Sequence, residues 1–195
     1  DSIASFSPSS LSPYSFVKEI MDLGKPVFVD MKMWNGGRTM ENIAGGCAEL
    51  GVDIINMYAH VGLKFIQKVH KTLEGSRTKL FGLTVLSHYT DADTQELYGR
   101  SMRNTVRILA ERCYTQMDGI ILPGTQLDVV KDLNIEKLCP GIRPTWFEDK
   151  KANEQEQVVS PQEALQSGAR YLVIGSPIRK APNPSESLER ILREI

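Results

Sequence analysis

The feature that most constrains the fold is an alternation of short apolar runs with segments of helical periodicity. The runs with the length and composition of buried strands are 26–33, 52–59, 79–86, 117–122, 135–139 and 171–174. Helices are predicted at 15–23, 39–50, 63–73, 102–114, 125–133, 161–167 and 185–195, and a polar loop at 87–99. Strands that alternate with helices form a parallel sheet with helices outside it. The sequence therefore predicts an α/β protein with about six strand–helix units.

A (β/α)8 TIM barrel fits this pattern better than a doubly wound sheet does. A doubly wound sheet normally carries a glycine-rich phosphate fingerprint after its first strand, and none follows 26–33. A complete barrel needs two more strands than the sequence shows, and it typically occupies about 250 residues. We therefore expect 1–195 to form a single barrel domain, with the N-terminal strand–helix units missing from the chain as given. The Ser- and Pro-rich stretch 1–13 is predicted to be a loop or arm.

Composition limits the classes of function. A chain of 195 residues that is 41% hydrophobic and 24% charged is typical of a globular domain, and its net charge of −1 gives no basic footprint for nucleic acid. The three cysteines, Cys47, Cys113 and Cys139, lie too far apart in sequence for a CxxC zinc motif. No apolar run approaches the ~20 residues that span a bilayer, and the sequence as given does not begin with the basic n-region and apolar h-region of a signal peptide. We expect a cytoplasmic protein without nucleic-acid or membrane partners.

The run 26–33 carries two opposite charges at its carboxyl end. Side-chain alternation in a strand puts Asp30 and Lys32 on one face, about 7 Å apart along the strand. Charges at the end of a buried strand are costly unless they pair or take part in chemistry, and barrels keep their active sites at that end. Two interpretations stay open: a catalytic Asp/Lys pair, or an ion pair that only closes the strand end.

Two later stretches follow the last strands. Leu138-Cys-Pro-Gly-Ile-Arg-Pro144 turns sharply after a strand, and the long loop beyond it contains Gln155. Tyr171-Leu-Val-Ile-Gly175-Ser-Pro-Ile178 ends a strand at a glycine whose backbone allows close approach of a ligand. Loops after the last two strands of a barrel commonly form a phosphate site. These stretches therefore predict a ligand-binding edge.

In this order, the motifs resemble those of the orotidine 5′-phosphate decarboxylase family, over about 16–195. Asp30-Met-Lys-Met-Trp-Asn35-Gly-Gly-Arg-Thr39 is similar to the family signature Asp-x-Lys-x-x-Asp-Ile-Pro-x-Thr. Pro140-Gly-Ile-Arg-Pro144 matches the family's Pro-Gly-Ile-Arg-Pro, and Ile174-Gly-Ser-Pro-Ile178 is similar to its Val-Gly-Arg-Pro-Ile. Gln155 falls at the family's phosphate-binding Gln, and Ser87 lies where a Ser contacts the pyrimidine.

The resemblance implies decarboxylation of orotidine 5′-phosphate (OMP) to UMP and CO2 in de novo pyrimidine biosynthesis, with no metal or organic cofactor. Lys32 would protonate the carbanion at pyrimidine C6, and Asp30 would crowd the departing carboxylate and hold Lys32 charged. The family is a homodimer, and Asn35 and Thr39 would complete the site across the interface. The substrate-binding positions implied in this way are Thr39, Ser87, Pro140, Ile142, Gln155, Gly175 and Ser176.

Several positions depart from the family pattern. Asn35 stands where the family has Asp, Ser176 where it has an Arg that pairs with phosphate, and Tyr58 where His is common. The family's Asp on the first strand and Lys on the second have no counterpart, while Arg179 offers a nearby cation. Two alternatives stay open: a Mg²⁺-dependent sugar-phosphate decarboxylase or synthase of the same superfamily, and a catalytically impaired homologue that only binds a ligand. The Pro-Gly-Ile-Arg-Pro motif favours the nucleotide enzyme.

Overall fold

A computed structural model describes residues 13–147 and 158–195. The strands are β1 (Phe28–Met33), β2 (Ile54–Tyr58), β3 (Lys79–Leu83), β4 (Gly119–Ile121), β5 (Glu136–Cys139) and β6 (Tyr171–Leu172). The helices are α1 (Pro13–Met21), α2 (Gly37–Leu50), α3 (Leu63–Leu73), α4 (Asp91–Tyr98), α5 (Met102–Tyr114), α6 (Pro161–Gln166), α7 (Ser176–Arg179) and α8 (Pro184–Leu192). Short 3-10 helices cover Ala59–Val61 and Gly124–Val130. Among the described residues, no helix is long and apolar enough to cross a membrane.

The strands form one parallel sheet in the order β1-β2-β3-β4-β5-β6. Each strand pairs with its neighbours in sequence, and helical segments make the crossovers between them. This order is that of a (β/α) barrel, because a doubly wound sheet reverses its strand order at a switch point. In the part of the chain that the structure describes, β1 and β6 are the two ends of the sheet. The predicted alternation is confirmed, and the six strands form a partial barrel.

The two faces of the sheet bury separate apolar clusters, as a side-chain period of two requires. The inner face carries Ile54, Phe81, Leu83, Ile121 and Leu138. The outer face packs against the helices through Ile55, Met57, Leu80, Ile120 and Cys139, which meet Ala44, Ile66 and Val106 among others. The inner cluster lines the barrel interior. Its edge at the carboxyl ends of the strands therefore forms the floor of a site located there.

The three cysteines are free, buried thiols. Burial raises the pKa of the Cys113 and Cys139 thiols to about 12, and it also raises the pKa of Cys47. The thiolate is the reactive form of cysteine, and these side chains stay protonated at neutral pH. They therefore act as small apolar residues in the outer core.

The prediction of a loop at 87–99 is wrong, because α4 lies within this range. The Thr90 hydroxyl accepts the backbone N–H of Asp93 at 3.2 Å, and the Asp93 carboxylate accepts the backbone N–H of Thr90 at 2.7 Å. This reciprocal capping box starts the helix, and Gly99, with φ of 67°, ends it. The helix was missed because it has few apolar residues at helical spacing, so only its cap identifies it.

Smaller differences concern the lengths of elements. The helix predicted at 125–133 is a 3-10 helix. The last strand, predicted at 171–174, is shorter in the structure, where β6 covers Tyr171–Leu172. The short α7 was not predicted; it begins directly after Gly175, with Pro177 in its first turn. The predicted arm 1–13 lies outside the described residues except for Pro13, where α1 begins.

Candidate active site

The carboxyl ends of the strands surround a cavity of about 310 Å³. This volume lies in the range of small-molecule sites, and the position is that of barrel active sites. Its apolar wall consists of Phe28, Leu83, Leu86, Ile121, Leu138, Pro140 and Val173. Its polar residues are Asp30, Lys32, Asn56, Ser87 and His88. The cavity therefore combines an apolar floor with a charged group on one side.

Asp30 and Lys32 form an ion pair at the end of β1, in which the Lys32 ammonium donates to Asp30 Oδ2. The prediction that both side chains share one face is confirmed, since both line the cavity. Each side chain is about half exposed, so solvent screens the attraction and the pair adds little to the stability of the fold. Its open position leaves both groups accessible to a ligand.

Asn56 on β2 holds the pair from the neighbouring strand. Its Nδ2 donates to Asp30 Oδ1 at 2.7 Å, and its Oδ1 accepts the backbone N–H of Lys32 at 2.7 Å. Only 1% of Asn56 is exposed. Sequence reasoning did not single it out, although a polar residue inside the apolar run Ile54-Ile-Asn-Met57 was the available signal. A buried amide without a partner is costly, and here both ends of the amide are satisfied by the ion pair's strand.

The backbone of Lys32 is strained. Its φ is +46°, and among the described residues it is the one non-glycine residue in the left-handed region. The register between β1 and β2 shifts between Val29 and Met33, so the regular ladder is interrupted at Lys32. This conformation costs about 1 kcal/mol for a residue with a Cβ atom, and such strain clusters at functional sites.

Two further predicted residues lie in the wall of the cavity. Ser87 is buried just beyond β3, and the half-buried Pro140 follows β5. His88 also lines the cavity and packs edge-on against Tyr89, with ring centroids 5.3 Å apart. The structure therefore brings together four of the predicted positions, Asp30, Lys32, Ser87 and Pro140.

The remaining predicted positions do not line this cavity. Asn35 and Thr39 are exposed beyond β1, and Ile142 is fully buried in the outer core. Gly175 and Ser176 lie between β6 and α7, close in sequence to the cavity residue Val173. Gln155 lies outside the described residues.

Four aromatic rings form a cluster beyond the carboxyl ends of β1 and β2. Trp34, Tyr58, His60 and Tyr98 have neighbouring ring centroids 4.8–6.1 Å apart. The Tyr98 hydroxyl and His60 Nδ1 are 3.3 Å apart. Burial, and then the positive charge of Arg112, lower the pKa of His60, so its ring is neutral at neutral pH. Trp34 remains 67% exposed beside Asn35, whereas the other three rings are half-buried.

Two arginines follow the last two strands in sequence, Arg143 after β5 and Arg179 in α7. Arg179 folds back over its own helix start, with its Nε 4.0 Å from the position that a Cβ atom on Gly175 would occupy. Arg143 lies 5.6 Å from the ring centroid of Phe147, and its Nε is buried without a hydrogen-bond partner among the described residues. The β6–α7 junction therefore combines glycine backbone with a nearby guanidinium.

The chain matches one protein family over nearly its whole length. The model of the Orotidine 5′-phosphate decarboxylase / HUMPS family matches residues 3–191. The orotidine 5′-phosphate decarboxylase of Nautilia profundicola is 32% identical over 186 residues, which cover 92% of this chain and 80% of the relative. That of Nitrosomonas europaea is 31% identical over 193 residues, which cover 95% and 81%.

Solved structures give the same fold. The crystal structure of orotidine 5′-phosphate decarboxylase from Lactobacillus acidophilus superposes with a TM-score of 0.76 at 24% identity, over 93% of this chain and 80% of that one. This likeness confirms the predicted barrel fold. The family match over nearly the whole chain and the relatives at 31–32% identity show that this protein belongs to the orotidine 5′-phosphate decarboxylase / HUMPS family.

Proposed function

We propose that this protein is a cytoplasmic carboxy-lyase that converts orotidine 5′-phosphate to UMP and CO2 in pyrimidine biosynthesis. Its relatives carry the name of this activity. The observation that carries the proposal is the Asp30–Lys32 pair, held by Asn56 and open to a cavity at the carboxyl ends of the strands. A fixed carboxylate and ammonium beside an apolar floor form a preorganised electrostatic site.

In the proposed mechanism, the bond between C6 and the substrate carboxylate breaks, and its electron pair stays on C6 as CO2 leaves. The Lys32 ammonium then transfers a proton to C6, and the amine regains a proton from solvent. Asp30 lies beside the departing carboxylate and keeps the ammonium in place through their ion pair. Charge that is already in position costs no reorganisation in the transition state. No metal or organic cofactor takes part.

The shape of the cavity supports a pyrimidine nucleotide as the substrate. The apolar floor of Leu83, Ile121 and Leu138 suits a flat ring, and Ser87 and Pro140 lie at its edge. In our proposal, the ribose phosphate extends past Val173 to Gly175 and Ser176. Arg179 replaces the guanidinium that Ser176 lacks. Gln155, the phosphate-binding position that the family resemblance implies, lies outside the described residues. Guanidinium groups suit phosphate because they donate two parallel hydrogen bonds.

The activity assay follows the loss of OMP absorbance with purified protein. We expect turnover that EDTA does not reduce, and we expect saturating UMP or 6-azauridine monophosphate to raise the melting temperature by about 5 °C or more. Turnover of a sugar phosphate only with added Mg²⁺ would support the sugar-phosphate alternative instead. A melting-temperature shift with nucleotide but no turnover would identify an impaired homologue that binds its ligand.

We further propose a homodimer in which the partner's Asn35 and Thr39 complete each site. Their exposure, together with that of Trp34, supports this arrangement. Inactive Lys32→Ala chains mixed with Asn35→Ala chains are expected to regain about one quarter of wild-type activity, because half of the dimers are mixed and each has one complete site. Activity no higher than the sum of the separate variants would contradict the shared site. Light scattering on the same samples measures the oligomeric state.

A further inference from the structure

We infer that Asn56 is a positioning residue for decarboxylation, which holds Asp30 and the backbone of Lys32 in their reactive arrangement. The kinetic part of this inference rests on the proposed function. Asn56 itself does not transfer a proton; it acts through the two residues of the ion pair.

The hydrogen bonds of Asn56 fix the Asp30 carboxylate. Oδ1 of Asp30 accepts from Asn56 Nδ2 at 2.7 Å, while Oδ2 accepts from the Lys32 ammonium. Both carboxylate oxygens are therefore occupied, and the plane of the carboxylate is set by a strand on one side and by the lysine on the other. Loss of the Asn56 contact would free Asp30 to rotate about its side-chain torsions.

The same amide fixes the left-handed backbone of Lys32. The Lys32 N–H donates to Asn56 Oδ1 at 2.7 Å, at the point where the register between β1 and β2 shifts. A side chain thus takes the place of a backbone acceptor where the ladder is interrupted. Because β2 is paired on both sides, by β1 and β3, Asn56 connects the half-exposed ion pair to a rigid part of the sheet.

Two buried threonines that flank β3 have a different role. Thr78 donates to the carbonyl of Val52 at 2.7 Å, and Thr84 donates to the carbonyl of Ile121 at 2.9 Å. These bonds satisfy backbone groups and do not reach the ion pair. Thr78 lies next to the amino-terminal end of β3, so it offers a matched control for the loss of a buried hydrogen bond away from the cavity.

Asn56→Asp is the most informative variant, because it keeps the shape and the acceptor for Lys32 but removes the donor to Asp30. At neutral pH we expect kcat for OMP to fall about 100-fold, with KM changed only a few-fold. The ratio of variant to wild-type kcat is expected to rise as the pH falls, because a protonated carboxyl regains the donor. A purely structural role would not produce this pH dependence.

Asn56→Ala removes both contacts and is expected to lower kcat at least as far. Thr78→Val is expected to lower the melting temperature while leaving kcat unchanged. The inference is overturned if Asn56→Asp stays folded and keeps kcat within about two-fold of wild type. A pH profile of Asn56→Asp that is parallel to that of the wild type would also overturn it.

Failure of the proposed function has a separate signature. If the folded wild-type protein does not turn over OMP at all, the assignment of the reaction fails, and Asn56 is then tested through folding alone. In thermal unfolding, Asn56→Ala and Asp30→Ala are expected to be non-additive, because each removes the same hydrogen bond. Strict additivity of the two shifts in melting temperature would show that Asn56 does not position Asp30.

Discussion

Lys32→Ala is expected to lower kcat for OMP decarboxylation by about 10⁴-fold, because it removes both the proton donor and one of the two charges beside the reacting bond. The assay is the loss of OMP absorbance under saturating substrate. Lys71→Ala changes an exposed lysine of α3 and is the matched control, with activity expected to equal that of wild type. A Lys32→Ala variant that retains more than a tenth of wild-type kcat would remove Lys32 from the mechanism.

The same position allows a test of strain. Because φ of Lys32 is +46°, glycine at this site avoids a penalty that alanine retains, so Lys32→Gly is expected to be about 1 kcal/mol more stable than Lys32→Ala. Urea unfolding measures the difference in the free energy of unfolding. Both variants are expected to be equally inactive. Equal stability of the two would mean that the left-handed backbone does not persist in solution.

Gly119→Ala is expected to destabilise the fold by about 3 kcal/mol, the upper part of the range for overpacking a core. Gly119 pairs with Phe81 across β3 and β4, and a Cβ atom on it would lie 2.3 Å from the Phe81 ring. The ring is fully buried and packs edge-on against Tyr171, with centroids 5.8 Å apart, which limits its movement. Urea unfolding at neutral pH is the measurement.

Two further variants test whether the clash with Phe81 is the cause. A Cβ atom on Gly45, inside α2, would lie 3.7 Å from Thr72, and Gly45→Ala is expected to retain stability or gain up to about 1 kcal/mol from helix propensity. Adding Phe81→Leu to Gly119→Ala is expected to recover part of the lost stability, because it removes the clashing ring. If Gly119→Ala cost no more than Gly45→Ala, the contact with Phe81 would not be tight.

The sequence predicted the parts of the fold that depend on local periodicity. The run 26–33 identified β1, and alternation along it placed Asp30 and Lys32 on one face. The count of the strands followed in the same way, because each apolar run is bounded by a turn or a helix. Their order followed from the choice of a barrel over a doubly wound sheet. The family motifs then led to Ser87 and Pro140, which both lie in the cavity wall.

Features that depend on contacts between strands were not predictable. The role of Asn56 depends on the register of β2 against β1, and this register is irregular near Lys32. Local alternation shows which face a side chain occupies, but not which atom on the next strand it meets. The placement of Asn35 relative to the cavity depends on the loop after β1, for which periodicity carries no information.

The buried cysteines give this protein a built-in reporter. With the pKa of two of the thiols at about 12 and all three shielded from solvent, a thiol-reactive dye should label only molecules that have opened. The labelling rate therefore measures the fraction of opened molecules without an enzyme assay. For each substitution above, this rate distinguishes a variant that is folded but inactive from a variant that is unfolded.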